Sequence, residues 1–210
     1  MRGVTRGRFI TFEGGEGAGK STQVRRLVEA LRARGLDVVQ TREPGGSPGG
    51  EAIRNLVVSG ATDRWSARTE ALLMFAARSD HLEKTIRPAL AAGSWVVCDR
   101  FADSSRAYQG AGGGASGDFI EALDAAVVGA DQPDLTLIFD LPVEVGLERA
   151  LARGQTDTRF ESKGLAFHQR LRDGFGDIAR RFPERCRMID ATGTPEDVHA
   201  RVWAAVEPVL

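Results

Sequence analysis

The chain has 210 residues, 42% hydrophobic and 27% charged, ordinary globular proportions that exclude a disordered or fibrous protein and suit one domain over residues 1–210. Its 28 Lys and Arg nearly cancel its 29 Asp and Glu, and the pI near 6.3 gives no reason to expect a nucleic-acid surface or an anionic-membrane binder. No run approaches the ~20 apolar residues that span a bilayer and no signal-peptide stretch opens the chain, while Cys98 and Cys186 each adjoin an apolar run, as buried thiols of a reducing compartment do, so a cytoplasmic protein is expected.

Strand-like and helix-like segments alternate from end to end. Residues 8–13, RFITFE, read as a strand that ends in glycines. Val24, Leu27, Val28 and Leu31 mark one helix face, stopped by Gly35. Residues 37–41 form a second strand, residues 44–50 a Gly/Pro-rich loop, and helical patterns follow to about Ala92 with a break near Gly60. Residues 94–99, SWVVCD, are a third strand, and the glycine-rich stretch 110–117 is expected to be a mobile loop before a helix at 119–128. Residues 135–140, LTLIFD, form the most apolar strand, followed by a helix at 144–152 and a polar, exposed loop at 154–159. Phe167, Leu171, Phe175, Ile178 and Phe182 line a long helix, residues 187–190 are the last strand, and Val198, Val202 and Val206 line a closing helix. Five short strands separated by helices predict an α/β fold with a parallel sheet covered on both faces, with ligands beyond the carboxyl ends of the strands.

Residues 14–21, GGEGAGKS, fit G-x-x-x-x-G-K-[ST] between the first predicted strand and helix, the context a phosphate-binding loop requires. Glycines let the backbone curl so that successive N–H groups point at phosphate oxygens, and the helix N-terminus adds its positive dipole end. The candidate ATP-binding set is Gly14, Gly15, Glu16, Gly17, Ala18, Gly19, Lys20, Ser21 and Thr22. Lys20 offers a point charge to the β- and γ-phosphates and Ser21 a hydroxyl for Mg²⁺. Lysine occurs only at Lys20, Lys84 and Lys163, so its place in the loop is informative. Such a loop names a nucleotide, not a reaction. The guanine-reading N-K-x-D box is absent, since Asn55 in IRNLV is the only asparagine, and the loop lacks the early extra lysine of partition-type ATPases.

Four stretches together are similar to the thymidylate kinases: FEGGEGAGKST at 12–22, TREPGG at 41–46, DRF…SSRAYQG at 99–110 and ARG…DTRFE at 152–161. The resemblance implies a P-loop NTPase fold, a five-stranded parallel sheet with a mobile lid near 152–162, and transfer of the ATP γ-phosphoryl to dTMP with Mg²⁺, giving dTDP for the dTTP pathway. It also implies a homodimer. By resemblance, Glu16 faces the acceptor sugar and its 3′-hydroxyl, and Glu43 with Pro44 closes on the acceptor nucleotide. Asp99 holds Mg²⁺ with Ser21, although Asp140 in LTLIFD offers a competing pattern, and Arg100 bridges donor and acceptor phosphates. Arg78 reaches the thymine carbonyl, Ser105, Gln109 and Arg54 stand near the base or pocket, and Tyr108 packs against the sugar.

Three departures stand out. The family's base-stacking phenylalanine falls by spacing on Met74, with Phe75 beside it, so either Phe75 or a thioether covers the base. An arginine often follows Y-Q-G in the family, where this chain has Gly112, Gly113 and Gly114. Some members place an arginine in the loop where this chain has Gly17, which aligns it with those that use lid arginines, here Arg149, Arg153 and Arg159, with Arg153 as the main contributor. His81, His168 and His199 show no metal spacing. The alternatives are a kinase for another pyrimidine nucleoside monophosphate and a nucleotide-dependent binding module without transfer activity.

Overall fold

The computed structural model describes residues 6–61, 63–152, 160 and 163–210. The strands are β1 (Phe9–Gly14), β2 (Val38–Arg42), β3 (Trp95–Asp99), β4 (Leu135–Asp140) and β5 (Cys186–Asp190), all parallel in the order β2-β3-β1-β4-β5. The five predicted strands are all present, with ends shifted by a residue at most. The chain builds the sheet to one side of β1 as far as β3, then crosses to the other side for β4. That reversal opens a crevice at the carboxyl ends of β1 and β3, the place where such sheets bind ligands.

Strand side chains alternate between two apolar layers. Ile10, Phe12, Val97, Leu137 and Phe139 pack on one face with Val24, Leu27 and Leu31 of α1 (Lys20–Ala33). The opposite face carries Phe9, Val96 and Cys98. Between β1 and β4, Thr11 and Thr136 bury their hydroxyls against each other at 2.9 Å, so neither polar group is left unpaired.

Two loop expectations are corrected. Within 44–50, Pro48 already begins α2 (Pro48–Val58): Ser47 is the N-cap, its Oγ accepting from the Gly50 N–H at 3.2 Å, and proline suits the first helical turn. α3 (Ala67–His81) starts at the Ser66 cap and runs through a π-helical turn, Leu82–Ile86, into α4 (Arg87–Ala91). α5 (Ala102–Ser105) likewise passes into a π-helical segment, Arg106–Gly112, so the first part of the glycine-rich stretch is helical rather than a loop. The glycine there serves packing: a Cβ on Gly112 would lie 2.7 Å from the Phe167 ring and 2.9 Å from Leu171. Gly117 then opens α6 (Gly117–Val127) behind the Ser116 cap.

The last helices are α7 (Val143–Ala152), α8 (Leu165–Arg181) and α9 (Pro195–Val206). Phe167, Leu171, Phe175 and Ile178 of α8 are buried as the pattern predicts, and Val198, Val202 and Val206 of α9 join the α1 layer. Both cysteines are buried and free. No helix among the described residues is long and apolar enough to cross a membrane.

Under the crevice lies a buried ion pair. Arg185, just before β5, donates to both Asp103 oxygens at 2.6 and 3.0 Å and to Thr136 Oγ1 at 3.0 Å, and Arg106 adds a bond to Asp103 at 3.0 Å. It ties α5 to the floor of the sheet. Removing Arg185 would leave the buried Asp103 carboxylate with Arg106 as its one remaining cation and strip Oδ2 of its bond. Arg185→Ala should therefore lower stability by about 3 kcal/mol, read from the midpoint of urea unfolding; an unchanged midpoint would show the pair to be dispensable.

Candidate active site

After β1 the chain turns through Gly14 (φ 131°), Gly17 (φ 68°) and Gly19 (φ 84°) into α1, three backbone conformations that favour glycine. Lys20, the first residue of α1, is buried and folds its Nζ onto the carbonyls of Gly14 (3.1 Å) and Gly15 (2.7 Å). Burial and the charge of Arg100 draw its pKa down to about 8, against the pull of Glu16, Asp99 and Glu13, so it remains a cation at neutral pH. Ser21 donates its hydroxyl to Asp99 Oδ2 at 2.6 Å. This separates the two candidate aspartates: both end strands that flank β1, but Asp99 meets the loop, whereas Asp140 is held by Arg172 in a two-pronged pair at 2.6 and 3.0 Å. Among the described residues, no group of three or more His, Cys, Asp or Glu could hold a metal ion.

Arg100 follows Asp99 with φ 72°, the left-handed region that costs a non-glycine residue about 1–3 kcal/mol. The surroundings hold it there. Its N–H donates to the Phe12 carbonyl (2.9 Å), Nη1 to the Gly14 carbonyl (2.9 Å) and Ser104 Oγ (3.2 Å), and Nη2 to Glu16 Oε1 (3.0 Å). Glu16 also accepts the Tyr108 hydroxyl at 2.6 Å. Burial alone would raise the Glu16 pKa, but Arg100, Lys20 and that hydroxyl outweigh it and set it at about 2. Glu16, Arg100 and Tyr108 thus form one closed polar edge of the cleft, with the Arg100 guanidinium 4.8 Å from the Tyr108 ring centroid.

Glu13 was not among the sequence candidates. Fully buried at the end of β1, its Oε1 accepts the Phe101 N–H at 2.7 Å and its Oε2 the Ser104 hydroxyl at 2.5 Å. The two bonds hold the chain as it leaves the Arg100 turn. Its signal was an acidic residue closing an otherwise apolar strand, in FEG before the loop. Burial and the neighbouring Asp103 raise its pKa to about 7, against the bonds from Ser104 and Phe101 and the charge of Arg100.

The far wall of the cleft is built on Glu43, at a cis Glu43–Pro44 bond after β2. Arg78 Nε donates to Glu43 Oε2 (2.8 Å), and His81 Nδ1 lies 3.1 Å from Glu43 Oε1, with its Nε2 2.7 Å from Thr41 Oγ1. Arg78 Nη2 further donates to the Phe101 carbonyl (3.0 Å) and Ser105 Oγ (3.1 Å), while Nη1 is buried and has no hydrogen-bond partner among the described residues. Arg54 donates to the Pro44 carbonyl at 3.1 Å. Arg54, Arg78, Ser105, Tyr108 and Gln109 all line the same cleft as Glu16, Lys20 and Asp99. Arg42 and Phe160 join them there without having been foreseen; the Phe160 ring stands edge-on to Tyr108 at 5.6 Å. His81 was read as a residue without a metal role, and its place beside Glu43 makes it a support of this wall.

A family model described as thymidylate kinase matches residues 12–202. The chain belongs to the thymidylate kinase family. It is 64% identical to the thymidylate kinase of Caulobacter vibrioides, over 95% of each chain, and 55% identical to that of Rhizorhabdus wittichii, over 97% of this chain and 99% of that one. Among solved structures it is similar to the thymidylate kinase of Ehrlichia chaffeensis, with TM-score 0.78 and 34% identity, covering 98% of this chain and all of the other. The members of this family are nucleoside monophosphate kinases, so the P-loop NTPase fold and a kinase activity follow from membership.

The family departures now have physical accounts. Phe75, a candidate for the base site, is corrected: it is 2% exposed in the core layer, with the Arg78 guanidinium 4.5 Å over its ring, and Met74 lines the cleft instead. One residue turns a helix by about 100°, which separates the two. Of Gly112, Gly113 and Gly114, which stand where an arginine often follows Y-Q-G, Gly112 is crowded by Phe167 and Leu171, so a side chain there would require those two to shift. Gly17 is excluded from carrying any side chain, since a Cβ there would collide with the carbonyl of Gly146 in α7. Arg149 lies exposed on α7; Arg153 and Arg159, with most of the expected lid, are outside the described residues.

Two outcomes follow. Gly17→Ala should destabilise the protein by about 1–3 kcal/mol and lower kcat, checked by thermal melts and initial rates; a silent substitution would mean the loop and α7 part readily. Between pH 4.5 and about 7 the folded protein keeps a proton on Glu13 that the unfolded chain has released, so this group makes stability fall as pH rises through that window. Urea unfolding at pH 5 and pH 7 should show a shallower fall in Glu13→Gln, by up to about 1.4 kcal/mol per pH unit; identical slopes would remove Glu13 as the titrating group.

Proposed function

We propose that this protein transfers the γ-phosphoryl of ATP to dTMP, giving dTDP and ADP for the dTTP pathway, as a single domain of 210 residues. The observation that carries the reading is Arg78 Nη1, a buried donor without a partner among the described residues, in the wall of a cleft that also holds the P-loop. An unpaired buried donor costs about 1–3 kcal/mol, and the 4-carbonyl of thymine would satisfy it. Glu43, itself propped by His81, holds Arg78 for that contact.

The phosphates of ATP would lie along Gly14, Gly15, Glu16, Gly17, Ala18, Gly19, Lys20, Ser21 and Thr22, with Lys20 exchanging its bonds to the Gly14 and Gly15 carbonyls for phosphate oxygens. Arg100 would bridge the two nucleotides from its place between the loop and Ser104. A monophosphate acceptor is already anionic near neutral pH. Catalysis then consists of positioning and charge neutralisation, and needs no general base. The Ser21 hydroxyl and Asp99 carboxylate are hard oxygen donors side by side and would hold Mg²⁺, which neutralises charge on the β- and γ-phosphates. The Glu16–Tyr108 pair would face the deoxyribose, Glu16 accepting from the 3′-hydroxyl, while the Met74 thioether would cover the base. Arg149, Arg153 and Arg159 would supply lid charge, Arg153 foremost, an effect worth about 10³–10⁵ in rate in P-loop enzymes.

Two wider expectations belong to this reading. A homodimer is carried over from the family resemblance, and the buried free thiols of Cys98 and Cys186 support a cytoplasmic setting. The reading is tested by initial rates with ATP–Mg²⁺ and a panel of dTMP, dUMP, UMP, CMP, AMP and GMP. A clear preference for dTMP is expected; preference for another acceptor would overturn the base-site argument, and tight ATP binding with no acceptor consumed would turn the protein into a binding module. Lys20→Ala should lower kcat by at least ~10²-fold with the fold intact, measured by rates and circular dichroism.

A further inference from the structure

Gln109 stands in the cleft wall, 2% exposed, and its Nε2 donates to Glu70 Oε1 at 2.9 Å. Its own Oε1 accepts no hydrogen bond from the described residues. Glu70 is 4% exposed in the first turn of α3, four residues before Met74 and eight before Arg78, so all three follow one side of that helix towards the cleft.

The chemistry of the two side chains is unequal. An amide offers two donors at one end and an acceptor at the other, and its flip is decided by its partners. A carboxylate has acceptors alone. Glu70 therefore allows Gln109 one orientation, with NH₂ towards α3 and the carbonyl towards the cleft. Together with Arg78, the wall then presents a donor, Arg78 Nη1, and an acceptor, Gln109 Oε1.

We infer that Glu70 is a positioning residue for base selection: by fixing the Gln109 amide it makes the site accept a pyrimidine with a 4-oxo group and an N3–H, and refuse a 4-amino pyrimidine. Thymine and uracil present an acceptor at position 4 and a donor at N3. Cytosine presents the reverse, and against this wall it sets donor against donor and acceptor against acceptor. The inference rests on the reading of the cleft as the dTMP site. It adds that the selectivity is set in part by a residue that need not touch the base.

The test is a double-mutant cycle on selectivity. Glu70→Gln is isosteric, but a glutamine there both donates and accepts, so Gln109 is free to turn over. The ratio of kcat/KM for dCMP to that for dTMP should rise by on the order of 10-fold in Glu70→Gln, mainly through KM, with thermal melts confirming a folded protein. In a Gln109→Met background, adding Glu70→Gln should leave the ratio where Gln109→Met put it. A ratio unchanged from wild type in Glu70→Gln, or one that moves equally in both backgrounds, overturns the inference while the dTMP reading stands. A wild-type enzyme that does not prefer dTMP overturns the reading itself, and the inference with it. Should Glu70→Gln fail to fold, the same ratio in Glu70→Ala decides: with no acceptor at position 70 to hold the amide the ratio is expected to rise, and an unchanged ratio in a folded protein counts against the inference.

Discussion

The site depends on how the chain turns at the end of β3. Arg100 must leave Asp99 in a left-handed conformation, and that turn is held by a carboxylate from the adjacent strand: Glu13 takes the Phe101 N–H directly after the turn and the Ser104 hydroxyl in the helix that follows. From that clamp, Arg100 reaches Gly14, Ser104 and Glu16 together. The strain of the turn, about 1–3 kcal/mol, is small beside the several bonds that it organises. Because β1 and β3 are neighbours in register, Phe12 opposite Asp99, the loop after one strand and the arginine after the other are fixed against each other by the sheet itself.

Charge in the cleft follows from that arrangement. Lys20 and Arg78 are buried cations and Arg100 a half-buried one, and each has a carboxylate or backbone carbonyls within hydrogen-bond reach. The carboxylates diverge in state. Glu16 stays ionised far below neutral pH because two cations and a hydroxyl face it, while Glu13, one layer deeper and near Asp103, holds its proton to about 7. The same residue type at positions three apart serves two ends: Glu16 meets the cleft, and Glu13 braces the frame beneath it.

Much of this was legible in the sequence. The five strands carried apolar, β-branched runs, and the loop Gly14–Ser21 stood out by its glycine spacing between the first strand and helix, so the fold and the loop on which the cleft is built could both be read. Asp99 could be preferred to Asp140 from Arg100 beside it, but what sets them apart in the structure, the Ser21 bond to one and the Arg172 pair on the other, is a long-range property. Other features were hidden for local reasons. The start of α2 was masked because Pro48-Gly49-Gly50 is turn chemistry unless Ser47 caps it. The helical course of Arg106–Gly112 was masked because glycines that serve close packing look the same as glycines that serve mobility. Phe75 and Met74 could not be ranked without the orientation of α3, and Glu13, Glu70 and His81 act through partners far away in sequence.

The seam between Gly17 and Gly146 has a steric corollary. Two backbones touch there with no room for even a methyl group, so a loop arginine at position 17 and this seating of α7 are mutually exclusive occupants of one volume. Any cation delivered to the loop from position 17 would require α7 to move first, which couples the choice of residue at one end of the cleft to the placement of a whole helix.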